Sequence, residues 1–460
     1  MSLIVSISGI RGTIGGESNK NLTPIDIVRF TSAYATWLLK NAEGKPRVVI
    51  GRDARLSGKM VSDLVTATLI SMGCDVIDLG LSTTPTVEIA VTGENANGGI
   101  IVTASHNTKE WNALKLLNNA GEFISEKEGE AIKKLADKGV FQYATVDKLG
   151  TYTENKEYIR KHIDQILALP LVDVEAIRAK NYRIVVDCVN STGGLAVPQL
   201  LYALGVKDVV ELYCEPNGIF PHNPEPLPQN LSQIATDVKF HKAHLGIAVD
   251  PDVDRLCFIC DDGEFFGEEY TLVAVADYIL SNKKGATVSN LSSTRALKDV
   301  TEKHGCKYFA SAVGEVNVVK EMKKNKAVIG GEGNGGIIYP ELHYGRDALV
   351  GIALFLTHMA KKGKNSSILR SGYPNYYMSK TKIELTNEIN IDKIIEGIRE
   401  QYKKHKQNDI DGLKIEFENE WVHLRRSNTE PIIRIYTESQ SQSTSDFLAN
   451  KIMADIKALM

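Results

Sequence analysis

Short apolar, β-rich runs alternate with helix-period stretches from residue 47 onward, and this alternation restricts the fold more than any other feature. Arg47 to Ile50 reads as a strand, Lys59 to Met72 as a helix, Asp75 to Leu79 as a strand, Thr86 to Val91 as a helix and Gly98 to Thr103 as a strand. Strands separated by a helix pair in parallel through right-handed crossovers, so mixed, mostly parallel sheets covered by helices are expected. The pattern recurs with Arg183 to Asp187 and Leu245 to Val249, and again with Thr287 to Leu291 and Ala327 to Ile329. After the polar stretch Lys362 to Ser371 it changes to alternating strands, Leu413 to Phe417 and Ile432 to Thr437, closed by the amphipathic helix Thr444 to Met460. The fold class expected is α/β: three similar mixed α/β domains over 1–150, 151–256 and 257–370, then a smaller C-terminal α+β domain over 371–460.

Charge excludes several function classes. The chain carries 54 basic and 57 acidic residues, interspersed, for a net charge of -3. That balance gives no electrostatic footprint for nucleic acid or for an anionic membrane, so any bound anion must be caught by local groups. Residues 1–16 hold no uninterrupted apolar core of a leader, and no apolar stretch approaches the length of a membrane span. A soluble, cytoplasmic protein is expected. Cys257-Phe258-Ile259-Cys260 matches Cys-x-x-Cys, but on a strand its two sulfurs fall on opposite faces and no second pair completes a zinc site. Reduced, mostly buried thiols are expected.

Asp250-Pro251-Asp252-Val253-Asp254-Arg255 places three carboxylates within five positions. An EF-hand starting at Asp250 would need Gly sixth and Glu twelfth, where the chain has Arg255 and Asp261. Pro251 bars a continuing strand or helix, so the loop turns sharply and gathers the carboxylates at one point. Such a trio repels itself unless a cation is present, and all-oxygen ligation suits Mg²⁺. Arg255 beside it offers the planar fork that phosphate recognition favours. The plain alternative is a solvated acidic turn.

The run Ile100 to Asn107 ends an apolar strand on Ser105, with His106 and Asn107 as added hydrogen-bonding groups. Serine in such a turn commonly caps local backbone. Next to a hard cation it would instead carry a phosphoryl group. Lys115 lies in the stretch Asn112 to Asn118, which folds back toward the turn, and acts as a general base only if its pKa drops to about 7 or 8. Otherwise it is a surface lysine.

Gly331-Glu332-Gly333-Asn334-Gly335-Gly336 formally fits a dinucleotide fingerprint, but that motif must open a helix, and Ile337-Ile338-Tyr339-Pro340 is β-like. Glu332 and Asn334 on a glycine-rich turn suit sugar hydroxyls, against the reading of a simple tight turn. Arg425-Arg426-Ser427-Asn428-Thr429-Glu430-Pro431 offers an arginine, two hydroxyls, an amide and turn backbone as a cradle for a phosphate dianion, with Arg434 assisting. A surface turn with a salt bridge is the alternative.

Taken in this order, the four loops resemble the α-D-phosphohexomutase superfamily over essentially the whole chain. The carriers are Thr103 to Asn107, Asp250 to Arg255, Glu332 to Gly336 and Arg425 to Pro431, with Gly9-Ile10-Arg11-Gly12 and Gly51-Arg52-Asp53 as amino-terminal matches. The resemblance implies four domains around a central cleft and phosphorylated Ser105 as phosphoryl carrier. It implies one Mg²⁺ on Ser105, Asp250, Asp252 and Asp254, with Arg11 and Arg255 in the catalytic machinery and Lys115 or His106 handling the hydroxyl proton. Glu332, Asn334, Arg425, Ser427, Asn428, Thr429 and Arg434 would bind a hexose phosphate. The reaction implied exchanges hexose 6-phosphate and hexose 1-phosphate through a 1,6-bisphosphate, in a monomer or homodimer.

Two departures bear on the sugar: Asn334-Gly335-Gly336 stands where many relatives have Ser-Gly-His, and Ser8 replaces an aspartate. The cradle and the run Asn223-Pro-Glu-Pro-Leu-Pro228 are more similar to phosphoglucosamine mutases, with glucose or mannose phosphates as the alternative. Two other classes predict different outcomes. A haloacid-dehalogenase-type phosphatase would be phosphorylated on aspartate, and a non-catalytic sugar-phosphate binder would not need Ser105.

Overall fold

The computed structural model describes residues 2–6, 9–384, 390–426 and 432–460. They form two compact units, Met1–Thr271 with Asn334–Leu369, and Leu272–Gly333 with Arg370–Met460. Among them no helix is long and apolar enough to cross a membrane.

The first unit opens with a seven-stranded sheet. Its strands lie in the order Ile4–Ser6, Gly9–Thr13, Trp111–Leu117, Gly98–Val102, Arg47–Arg52, Asp75–Leu81, Tyr152–Glu154. Arg47–Arg52 pairs in parallel with both Asp75–Leu81 and Gly98–Val102, as the intervening helices require. Trp111–Leu117 runs back antiparallel to Gly98–Val102, setting Lys115 opposite Ile101. Apolar clusters cover both faces of this sheet, which is why Gly98–Val102 is buried throughout rather than alternating.

A second sheet in the same unit has the order Leu256–Cys260, Leu245–Val249, Arg183–Asp187, Asp208–Leu212. Its first two strands form an antiparallel hairpin closed by the pair Val249 and Leu256, so the acidic loop is the hairpin connection itself. Cys257 and Cys260 lie buried on the hairpin strand, and all six cysteines are free.

Residues 334–369 return to this unit through the helix Ala348–Lys362, whose positions 348–360 are all buried. An apolar surface on every side of a helix demands partners on every side. The helices Tyr158–Leu167, Val174–Arg178 and Gly193–Ala203 supply them, and Phe355 stacks on Phe258 at 3.9 Å.

Asp347 caps the helix by accepting from the backbone N–H groups of Leu349 and Val350. Its other oxygen meets His162 Nε2 at 2.8 Å and His343 Nε2 at 3.2 Å, and His343 Nδ1 approaches Glu88 at 3.3 Å.

In the second unit Thr287–Asn290 pairs in parallel with Tyr308–Ser311 and with Ile329–Glu332. The last of these strands begins where the sequence pattern had it end, at Ile329, and Gly330 lets it lie against Met322: a Cβ there would sit 2.4 Å from the sulfur. The C-terminal sheet is antiparallel, in the order Tyr377–Glu384, Ile432–Ser439, Trp421–Arg426, Leu413–Glu416, Lys406–Asn408. Residues of Ile391–Gln401 and Gln442–Ala458 close its core.

The His343 cluster yields a pH test. Burial alone would lower His343, but Asp347 and Glu88 outweigh it and raise the imidazole to about 10. A group raised above its unfolded value of ~6.5 stabilises fully below that value, and the contribution fades as pH climbs through the folded one. Wild-type Tm is therefore expected to fall from about pH 7 to about pH 10 more steeply than the Tm of His343→Gln. Thermal unfolding across this range checks it, and parallel curves would refute the imidazolium.

Candidate active site

Ser105 stands at the end of Gly98–Val102 with φ at +50°, a left-handed conformation that a non-glycine residue adopts at a cost. Its surroundings impose that shape. Ser105 N donates to Thr103 Oγ1, and Thr103 Oγ1 donates to Asp53 Oδ2 at 2.6 Å. Arg55, fully buried, donates from Nε to the same carboxylate at 2.8 Å and from Nη2 to the Ser105 carbonyl at 2.7 Å. The loop tip thus rests on a paired, satisfied buried charge rather than on its own backbone.

From this position Ser105 Oγ donates to Asp250 Oδ2 at 2.6 Å, across 145 positions of sequence. His106 Nδ1 lies 3.3 Å from the same hydroxyl. The hydroxyl and the acidic loop, far apart in the chain, meet in one pocket of the first unit.

The acidic loop is held as firmly. Asp250 Oδ1 accepts from the backbone N–H groups of Asp254 and Arg255, while Ser191 and Thr192 hydroxyls donate to the Pro251 carbonyl at 2.7 and 2.8 Å. Val253 is buried at φ +62°, a strained state for a β-branched residue. Asp252 Oδ2 accepts from Thr84 Oγ1 at 2.6 Å and Lys115 Nζ at 2.7 Å. Asp254 Oδ2 accepts from Lys115 Nζ at 3.2 Å and Arg346 Nη2 at 2.8 Å.

All three aspartates are fully buried, and ligand oxygens from each lie within 4.8 Å of one another. Asp252 Oδ1 and Asp254 Oδ1 are buried with no hydrogen-bond donor. A buried carboxylate oxygen without a donor is costly. A small divalent cation removes that cost at both oxygens together, so the residues present fit an oxygen-ligated metal.

Burial, together with the charges of Asp252 and Asp254, pushes Asp250 well above the usual carboxylate range. Burial would raise Asp252 too, but Lys115 and the Lys115 and Thr84 hydrogen bonds hold it below that range. For Lys115 the condition set for a general base is a lowered pKa. Burial would lower it, but Asp252 and Asp254 outweigh burial and keep the ammonium above its ordinary value. Burial and the nearby Arg255 charge hold His106 well below the usual imidazole range.

Arg255 spans from Glu225 Oε1, 3.1 Å from Nη1, to His106 Nε2, 3.4 Å from Nη2. Arg11 donates to Asn107 Oδ1 at 3.1 Å, one turn residue beyond His106. Gly9, at φ +110°, makes room beside it: a Cβ there would stand 2.2 Å from the Leu114 carbonyl. Asn334, also in the first unit, accepts from Gly336 N at 3.2 Å and shapes its own turn.

Within the second unit, Glu332 Oε1 accepts from Asn290 Nδ2 at 2.8 Å and from Gly314 N at 3.0 Å. Gly336–Ile338 is a strand, so the glycine-rich loop opens no helix and the dinucleotide reading fails as expected. Arg425 forms an ion pair with Asp411 at 2.8 Å. It faces Arg434 directly across the antiparallel sheet, and Arg434 in turn faces Lys382. Lys382 is itself paired with Glu384 at 3.1 Å. Ser427, Asn428 and Thr429 lie outside the described residues, as does Ser8.

Thr84, Arg346 and Arg55, which hold the serine and acidic loops, were not legible as such. Of these only Arg346 left a signal, a charged Arg346-Asp347 pair directly before an all-apolar helix.

Comparison with known proteins places the chain. Four consecutive stretches match phosphoglucomutase/phosphomannomutase domains: alpha/beta/alpha domain I at 3–143, domain II at 160–263, domain III at 267–376 and the C-terminal domain at 382–454. A phosphoglucomutase/phosphomannomutase of Thermococcus kodakarensis is 37% identical over 437 residues, 94% of each chain. A probable phosphoglucosamine mutase of Methanopyrus kandleri is 31% identical, covering 97% of this chain and 96% of its own. The crystal structure of a putative phosphomannomutase from Thermus thermophilus superposes with a TM-score of 0.84 at 25% identity, covering 99% of both chains. With three α/β domains and an antiparallel C-terminal one in the same order, the chain belongs to the phosphoglucomutase/phosphomannomutase family and is a phosphohexomutase.

Proposed function

We propose that the enzyme interconverts a hexose 6-phosphate and a hexose 1-phosphate with phosphorylated Ser105 as the carrier, and that glucosamine phosphate is its main substrate. The observation that carries this reading is the 2.6 Å contact of Ser105 Oγ with Asp250, beside two buried carboxylate oxygens lacking donors. Asp250, Asp252, Asp254 and Ser105 would hold Mg²⁺, which supplies the positive charge a phosphoryl group needs beside three carboxylates. In this reading phosphoserine, metal, sugar and phosphate functions fall on 1–150, 151–256, 257–370 and 371–460, in a cytoplasmic enzyme.

The forward step breaks the bond from phosphorus to Ser105 Oγ and forms one to the free sugar hydroxyl, whose proton leaves to a base. Reverse transfer from the other phosphate of the resulting bisphosphate restores the phosphoserine. A loose phosphoryl transition state asks for alignment and charge stabilisation, which Arg255 and Arg11 supply beside the serine. Lys115, paired with two carboxylates, contributes charge. His106, 3.3 Å from Oγ and held below the usual imidazole range by burial and Arg255, is the better placed proton acceptor.

Glu332 and Asn334 would bind sugar hydroxyls, and Arg425 with Ser427, Asn428 and Thr429 would hold the distal phosphate. Arg434 extends that cradle, because it faces Arg425 directly across the sheet. Glucosamine is favoured by the Asn223 to Pro228 run, the cradle sequence and the Methanopyrus relative's name. Glucose or mannose phosphate is the second reading, favoured by the Thermococcus relative.

Replacing Ser105 with alanine is expected to lower turnover on the order of a thousandfold or more in a coupled isomerisation assay. Mass spectrometry of active wild type should find phosphate on Ser105, whereas phosphate on an aspartate would favour the phosphatase class. Arg434→Ala should raise KM roughly tenfold, the scale of one charge-assisted hydrogen bond, with a smaller effect on kcat. Comparing kcat/KM for glucosamine, glucose and mannose phosphates tests the sugar. A higher value for glucose or mannose overturns the glucosamine reading and leaves the mutase chemistry standing.

A further inference from the structure

Two imidazoles and a carboxylate converge in the first unit, in a cluster that phosphoryl transfer does not use. His162 Nε2 and His343 Nε2 lie 2.8 and 3.2 Å from the same oxygen of Asp347, and ligand atoms of all three lie within 4.8 Å of one another. His162 comes from the helix Tyr158–Leu167, and His343 and Asp347 from the turn that leads into Ala348–Lys362. Gly345 shapes that turn. A Cβ there would stand 1.8 Å from Glu88 Oε2 and 2.8 Å from His343 Cε1, so a side chain at this position would push both groups aside.

The outer nitrogens are held as those of metal-bound imidazoles are. His162 Nδ1 meets Thr86 Oγ1 at 2.9 Å, and His343 Nδ1 lies 3.3 Å from Glu88 Oε2. A second polar partner of this kind fixes the ring of a ligating histidine and raises its basicity. Asp347 is oriented too, because its other oxygen accepts from the N–H groups of Leu349 and Val350. His162, Asp347 and Glu88 are buried, whereas the His343 side chain is 12% exposed and gives an ion a way in.

Two imidazole nitrogens with one carboxylate oxygen select zinc over magnesium, which takes oxygen ligands. A tetrahedral zinc with bonds of ~2.0 Å spaces its ligands by about 3.3 Å, so the observed 2.8 and 3.2 Å need only small shifts to admit it. Charge balances as well, since the carboxylates of Asp347 and Glu88 neutralise a divalent ion between two neutral rings. We propose that His162, His343 and Asp347 bind a structural zinc ion, with water as the fourth ligand and Glu88 fixing the His343 ring. On binding, His343 gives up the proton that Asp347 and Glu88 hold on it in the metal-free chain. The ion ties Tyr158–Leu167 to the turn that carries Arg346, the donor to Asp254, and through Thr86 to the helix start that carries Thr84, the donor to Asp252.

Zinc itself is the probe, added to the chelator-stripped full chain in excess Mg²⁺, so that the acidic loop is occupied, and then dialysed before metal analysis. Wild type should retain about one zinc ion per chain, and its X-ray absorption fine structure should show imidazole nitrogens at about 2.0 Å. An all-oxygen site at Asp250, Asp252 and Asp254 cannot give that signature. His162→Gln and His343→Gln should each retain about tenfold less zinc, the scale of a lost ligand. Zinc should raise the Tm of wild type by about 3 °C or more and leave theirs unmoved. A wild type that retains no zinc, fine structure without imidazole, or undiminished retention in both variants would each overturn the proposal and leave a hydrogen-bonded ion pair. Should neither variant fold, the wild-type fine structure decides.

Discussion

Three aspartate side chains buried within one hairpin connection are the constraint around which the first unit is organised. Their mutual repulsion in a medium of low dielectric would drive the loop open unless cations and donors reach it. Lys115 arrives from one strand of the first sheet and Arg346 from the segment before the buried helix, while Thr84 arrives from the start of a third element. Each of these must be delivered by a different part of the chain. The return of residues 334–369 to the first unit is therefore both a packing event and an electrostatic one, since the same turn that caps Ala348–Lys362 also presents Arg346 to Asp254.

Strain and support are matched at the two loop tips. Ser105 and Val253 both sit at positive φ, and both are surrounded by hydrogen bonds from outside their own loops. A backbone held in such states persists only when neighbours over-determine it. The consequence is a hydroxyl fixed close to a carboxylate before any substrate binds. Phosphoryl transfer depends on alignment more than on covalent help, so this fixed geometry is where the fold serves the chemistry.

Much of this was legible from residue order. The alternation from Arg47 to Thr103 gave parallel strands with crossover helices, and the change after residue 371 gave a sheet of another kind. The acidic loop stood out because a proline and three carboxylates within five positions gather charge at one point, whereas Ser105 alone had an ordinary structural use and gained weight only beside the other loops. Other properties were not local. Burial lowers Lys115 while Asp252 and Asp254 raise it, and which one prevails is decided only by the packed site. Thr84 and Arg55 carry ordinary residue types in ordinary contexts, and only their partners give them a function.

The sequence by itself determined the fold class and the order along the chain of the serine turn, the acidic loop, the glycine-rich loop and the arginine-rich loop, because periodicity and loop composition are local properties of the chain. Tertiary structure decided which distant groups share a pocket and what charge each then holds. Contacts such as Ser105 with Asp250, or Arg346 with Asp254, span 145 and 92 positions. Protonation follows from the balance of burial against neighbouring charge, and that balance exists only after the strands and the buried helix have packed.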